Sequence, residues 1–393
     1  MRNQLRNRIK FDVILLICVL LLAVIGTVAI YSASSYKANE EHNSSHYFLT
    51  KQLLRLSLGI ILMIIFIKID YQVLHNIAPI ILGIAFFLLL LVLAGGKTIN
   101  GSKRSLLLNG FYFQPSEVAR YALILFLSGY LVEKGKKLQE LREGLLPALA
   151  IVGVIIFFIV LEPDLGTAAI IFMLAMLMIF LAGASIYHIS GLIAIGVVAV
   201  SVIMKIFPYQ LKRLINYINS VRGISEPPYQ VLQSLISFGN GGITGVGLGN
   251  SRQKMHHLPQ PFTDFIYSII GEEVGLIGCL IVLLLFCGFL WRGLWITLHA
   301  PDKKGQLLAV GITSSVMIYA FINSGITLNL FPVTGITLPF ISYGGTALIM
   351  NCIAVGILLN ISMQINQGTK SIPMNYPSDS KFRSYSRINR KHK

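Results

Sequence analysis

Charge is scarce in this chain of 393 residues: Asp, Glu, Lys and Arg together make up 12%, about half the share usual in soluble domains. Acids are scarcer still, 16 against 32 Lys and Arg. Cysteine is rare, and all four residues (Cys18, Cys279, Cys287, Cys352) lie inside apolar runs. That placement argues against a disulfide framework or a thiolate metal cage and predicts small buried apolar side chains. The adjacent pair His256-His257 lacks the i, i+4 spacing of a helical zinc site, and no Gly-x-Ser-x-Gly or P-loop motif occurs. These absences remove the common soluble hydrolase, metalloenzyme and nucleotide-binding classes.

What the chain has in abundance is apolar length. Hydrophobic residues reach 55% and mean hydropathy is +0.73, in runs near the 20 residues that span a bilayer as a helix. Unbroken runs, rather than alternating ten-residue ones, predict helices and not a barrel. The expectation is an all-α polytopic membrane protein of about ten transmembrane helices. The spans fall near Phe11–Ser34, Gln52–Ile69, Ile77–Ala94, Ser116–Val132, Leu145–Leu161, Gly166–Ala182, Ile189–Phe207, Phe265–Leu290, Leu307–Phe331 and Thr346–Met363. The eighth is long enough to need tilt. A large outer loop, 208–263, separates spans seven and eight. Residues 1–366 read as one membrane domain and 367–393 as a basic, disordered cytoplasmic tail near anionic lipid. The N-terminal run lacks a small-residue cleavage site and reads as a retained span.

A net charge of +16 would suggest nucleic acid in a soluble protein. Here the positive-inside rule accounts for most of it: with the N-terminus inside, 19 Lys and Arg lie on the cytoplasmic side and about 12 outside. No nucleic-acid partner is expected. The outer set still includes Lys97, Lys103, Arg104, Lys212, Arg213, Arg222, Arg252 and Lys254. It is read either as loop solvation or as a surface that handles an anion.

Four constellations carry chemistry. Gly101-Ser102-Lys103-Arg104 precedes Gln114-Pro115-Ser116-Glu117-Val118-Ala119-Arg120. There Pro115 suits a first helical turn, and Glu117 and Arg120 share a face at i, i+3. An ionisable side chain inside a span points to the bundle interior, so Arg120 marks a substrate path or a structural ion pair. In Glu162-Pro163-Asp164-Leu165-Gly166-Thr167 the aspartate suits an N-cap with Thr167 at N3. The glycine-rich run 239–250 reads as a tight loop whose backbone closely approaches either a ligand, with N–H groups oriented to receive a diphosphate, or another chain segment. Leu258 to Phe265 ends the outer loop with Asp264, which is read as a helix N-cap, a base or a metal ligand. On a continuous helix Glu272 and Glu273 lie about 12–14 Å further along at 1.5 Å per residue. Paired-carboxylate hydrolysis with Asp264 is therefore not supported.

In order along the chain, Gln114-Pro115-Ser116-Glu117, Pro163 to Thr167, Leu258 to Ile266, Gly271 to Gly275 and Gly335 to Gly345 resemble the SEDS family of bacterial envelope proteins, FtsW, RodA and SpoVE. The resemblance spans about Phe11 to Asn366. The form Thr337-Leu338-Pro339-Phe340 is closer to FtsW and SpoVE than to RodA. Three positions depart from the family pattern: Ser105-Leu106 replaces an aromatic after Arg104, Arg120 replaces a lysine, and Gln260-Pro261-Phe262 stands before Thr263-Asp264.

The resemblance implies a peptidoglycan glycosyltransferase that polymerises lipid II on the outer face of the bacterial cytoplasmic membrane. It would work beside a class B penicillin-binding protein and other divisome membrane proteins, enriched at the septum. Asp264 would be the catalytic base, with Lys103, Arg104, Glu117, Arg120, Asp164 and Arg213 as substrate-binding residues. The leaving diphosphate would be offset by these cations or by a divalent cation, Mg or Mn. The competing expectations are a lipid II flippase, an elongation polymerase of the RodA type, or a non-catalytic scaffold.

Overall fold

The computed structural model describes residues 11–99, 102–108, 111–255, 258–259 and 261–368. The basic residues before Phe11, Gly101, His256-His257, Gln260 and the tail from 369 onward lie outside the described residues, as does the side chain of Lys97. Twelve α-helices are described, α1 (Val13–His42), α2 (Tyr47–Lys68), α3 (Tyr71–Gly95), α4 (Pro115–Lys134), α5 (Leu146–Leu161), α6 (Leu165–Leu181), α7 (Ile186–Ile206), α8 (Pro208–Val221), α9 (Tyr229–Gly241), α10 (Ile266–His299), α11 (Lys303–Thr327) and α12 (Gly345–Gly368).

Ten of these match the expected spans. Eight membrane-crossing candidates are long and apolar enough by themselves. α6 is apolar but shorter, and α4 carries Glu117, Arg120, Glu133 and Lys134. The remaining two, α8 and α9, give the outer loop internal structure. Asp12, Asp70, Asp164 and Asp302 each cap a helix by accepting a backbone N–H, which is how several of the few acids are spent. α4, α6, α11 and α12 form the inner bundle. α1 runs beside α10, and α2 lies along α12. α7 is lipid-facing almost all round, with Ile189 its one buried residue. Cys18, Cys279 and Cys352 are buried as expected, whereas Cys287 faces outward. A bulky bundle leaves a small side chain on its perimeter as easily as in its core.

Two features depart from plain helices. The segment between α3 and α4, expected as a loop, folds into antiparallel strands β1 (Lys97–Ile99), β2 (Ser102–Leu108) and β3 (Phe111–Phe113), in that spatial order. The other is a break in α10 at Gly275, whose φ of 70° and ψ of −162° suit glycine alone. The glycine-rich run fills that break. Val246 N–H donates to Glu272 O at 3.0 Å, Gly247 N–H to Glu273 O at 3.0 Å, and Leu276 N–H to Gly242 O at 2.9 Å. A Cβ at Gly245 would stand 2.2 Å from Glu273 O, so only glycine allows this approach. The close backbone approach expected of this run is thus to another chain segment, and the N–H groups of Val246 and Gly247 are committed to the broken helix rather than to a diphosphate. Such freed helix groups must be paired inside a membrane protein.

Glu272 and Glu273 serve the same junction. The Glu272 carboxylate accepts from Ser251 Oγ and from the Arg252 N–H at 3.2 Å. Glu273 accepts from Ser32 Oγ at 2.5 Å and pairs with Lys254 Nζ at 3.1 Å. Neither carboxylate is free for chemistry, and Lys254 leaves the set of outer cations available to an anion.

Between α11 and α12 the chain dips back into the bundle without becoming helical. A Cβ on Gly26 in α1 would lie 2.5 Å from Ile341 Cα. Phe340 is buried there at a φ of 64°. The turn is closed by Leu338 N–H to Ser342 Oγ at 2.8 Å and Ser342 N–H to Leu338 O at 3.0 Å. Asn323 of α11 donates to Ile336 O at 2.6 Å. Irregular backbone survives at such depth only when protein groups satisfy it.

Candidate active site

Alternating antiparallel spans bring the α1–α2 turn, the β-strands, the α5–α6 turn, the outer loop and the re-entrant 328–344 segment to one end of the bundle. Asp264 stands there, in the turn before α10. The helix N-cap is Phe265 and no side chain caps it, so the cap reading of Asp264 fails. Its carboxylate accepts from Thr263 Oγ1. Its backbone carbonyl is held by Asn323 Nδ2 at 2.8 Å, which pins the turn to α11.

Opposite Asp264 is Arg104. On β2, Lys103 and Arg104 point to opposite faces because side chains alternate along a strand. Lys103 is exposed, while Arg104 is half-buried. Arg104 and Asp264 both approach Gly335, whose φ of +75° favours glycine. A Cβ there would sit 3.6 Å from Arg104 Nη1 and 3.9 Å from Asp264 Oδ2. An acid and a fork of donors thus converge on one point, the place a Cβ on Gly335 would take. Lys103 is not brought to that point.

Behind Arg104 lies the α5–α6 turn. Asp164 caps α6, accepting from Thr167 N–H at 3.1 Å and Thr167 Oγ1 at 2.9 Å, with Gln114 Nε2 at 3.5 Å. A Cβ on Gly166 would meet Thr334 Cβ at 2.8 Å, so this turn packs on the re-entrant segment. Glu162 is fully buried and neither carboxylate oxygen has a partner. Burial pushes its pKa up to about 9, the charge of Asp164 adds to this, and Arg104 opposes it. The unfolded chain therefore ionises near 4.5 while the folded one holds its proton to about 9. Stability is then lost as pH climbs through that window. Glu162→Gln is expected to melt at higher temperature than the parent at pH 8, the two converging towards pH 4.5 in thermal unfolding scans.

Deeper in the bundle the expected Glu117–Arg120 pair forms, at 2.6 Å and with Arg120 1% exposed. Arg120 also donates to Asn351 Oδ1 at 3.3 Å and lies 3.8 Å over the Tyr319 ring. Arg213, on α8, is elsewhere: it donates to Val333 O at 3.3 Å and to Tyr209 Oη at 2.7 Å. It braces the re-entrant segment from outside rather than facing Asp264.

Sequence reasoning assigns no role to Arg55, which the structure places at this end of the bundle. It is buried on α2, its Nη1 has no partner, and its guanidinium lies 4.5 Å over the Tyr343 ring and 5.3 Å over Phe111. Tyr343 N–H in turn bonds Phe262 O at 2.9 Å, two residues from Asp264. The signal was present: an arginine inside an apolar run points inward by default.

The chain matches the family model FTSW_RODA_SPOVE, described as "Cell cycle protein", over residues 12–367. It is 43% identical over 353 residues to stage V sporulation protein E of Bacillus subtilis, covering 89% of this chain and 96% of that one. It is 37% identical over 358 residues to the probable peptidoglycan glycosyltransferase FtsW of Geobacter metallireducens, covering 91% and 96%. Among solved structures it superposes, at a TM-score of 0.74 and 26% identity, on a chain of the work "Structural coordination of polymerization and crosslinking by a peptidoglycan synthase complex", covering 91% of this chain and 99% of that chain. The rod shape determining protein RodA of Thermus thermophilus matches at 0.67 and 26% identity, covering 90% and 96%. The chain is therefore a multi-pass membrane protein belonging to the FtsW, RodA and SpoVE family.

Proposed function

We propose that this protein is a peptidoglycan glycosyltransferase that polymerises lipid II on the outer face of the cytoplasmic membrane. The observation that carries the reading is the convergence of the Asp264 carboxylate and the Arg104 guanidinium on Gly335, both within 4 Å of where a Cβ on that glycine would stand. An acceptor sugar hydroxyl placed there attacks the anomeric carbon of the donor, forming the new glycosidic bond. Its proton passes to the Asp264 carboxylate. The bond to undecaprenyl diphosphate breaks on the opposite face of the sugar and inverts the anomeric centre. Arg104 offsets the charge that develops on the departing diphosphate, and a preorganised guanidinium does so without waiting for solvent to reorient.

Among the described residues no group of three or more His, Cys, Asp or Glu is arranged to hold a metal ion, so no step here is routed through Mg or Mn. A class B penicillin-binding protein is the proposed partner, in keeping with the synthase complex that contains the structural neighbour. Septal synthesis with other divisome proteins is the proposed setting, supported by the FtsW and sporulation relatives.

The test is reconstitution into liposomes with lipid II supplied only on the leaflet at the Asp264 end. Glycan strands are expected. Movement of lipid II between leaflets with no strand formed would overturn this reading in favour of a flippase.

A further inference from the structure

A cavity lies apart from Asp264 and Arg104. About 270 Å³ in volume, it opens between α8, α9 and the first residues of the re-entrant segment. Three tyrosines (Tyr209, Tyr217, Tyr229), Arg213 and three side-chain amides line it beside five apolar residues, and no acid does. This mixture narrows the occupant. A lipid chain would leave three side-chain amides and a guanidinium facing hydrocarbon, which is costly. A sugar ring suits them, because its C–H face stacks on an aromatic ring while its hydroxyls and acetamido groups exchange hydrogen bonds with amides and a guanidinium.

The cavity shares a wall with the Asp264 site. Tyr217 Oη donates to Leu330 O at 2.6 Å, and Arg213 Nη1 donates to Val333 O at 3.3 Å. Val333 is two residues from Gly335, at most about 7 Å along the chain, and Gly335 borders Asp264. A strand leaving the Asp264 space along this wall meets the tyrosines next. We propose that the α8–α9 cleft is a glycan-strand subsite that holds the saccharide units beyond the bond being formed. It rests on the polymerase reading for the source of its ligand, though not for its chemistry.

Two measurements on the full chain test it. Saturation-transfer NMR with a soluble, uncrosslinked peptidoglycan tetrasaccharide is expected to report binding that Tyr229→Ala weakens about threefold to tenfold, the range of one aromatic contact, and that Tyr229→Phe restores. In liposomes with lipid II, mean strand length divided by the rate of first coupling is expected to fall by a similar factor in Tyr229→Ala and not in Tyr229→Phe. Tetrasaccharide binding unchanged by Tyr229→Ala, or weakened equally by Tyr229→Phe, would overturn the subsite. So would loss of the penicillin-binding partner with strand length intact, which would make the cleft a protein-docking face. Binding that behaves as expected in a protein that forms no strands would sink the polymerase reading and leave the subsite standing.

Discussion

Asp264→Asn is expected to lower strand formation from lipid II by roughly 10²- to 10⁴-fold, the usual worth of a positioned general base, while leaving the melting temperature close to that of the parent. Both halves follow from where the carboxylate sits. It caps no helix, and the turn that carries it is fixed through its backbone carbonyl by Asn323, which asparagine keeps. Asparagine also preserves the shape of the side chain beside Thr263 Oγ1, so the variant removes a proton acceptor and little else. A radiolabelled lipid II assay and a thermal melt on the same preparation decide the matter. Were Asp264 only a structural residue, the loss would appear in the melt and activity would follow the folded fraction. Strand formation within tenfold of the parent would remove Asp264 as the base.

How much of this was legible in the sequence depends on the range of the interaction involved. Apolar length gave ten spans, because the bilayer imposes that length on each helix separately. The Glu117–Arg120 pair and the Asp164 cap were readable for the same reason: their partners lie three residues away. Asp264 was ambiguous because a cap and a base look alike until the chain on the far side is known. That far side is Gly335 and Arg104, 71 and 160 residues away in sequence. The glycine-rich run was legible as a place of close backbone approach, but not what it approaches: its partners are backbone groups of a helix broken some 30 residues later, and backbone groups leave no mark in composition. The tie of Arg213 to Val333 was not readable either, because it depends on how α8 folds back over the re-entrant segment.

The largest effect on stability is expected at Arg120. Its guanidinium is enclosed by Glu117, Asn351 and the rings of Tyr319 and Tyr121, so Arg120→Ala strands the Glu117 carboxylate in the bundle with no counter-charge. Breaking one side of a buried pair costs about 3–5 kcal/mol, which should appear as a sharp drop in melting temperature in detergent. Removing both charges together is different, since no uncompensated ion remains. Glu117→Gln with Arg120→Gln is therefore expected to recover much of the loss. The double variant also separates packing from chemistry. If it regains stability and strand formation together, the pair only holds α4 against α11 and α12. If stability returns while strand formation does not, the charges act on the substrate as well. Two nitrogens of Arg120, Nε and Nη1, make no hydrogen bond within the protein, so the pair is not fully satisfied by the bundle itself.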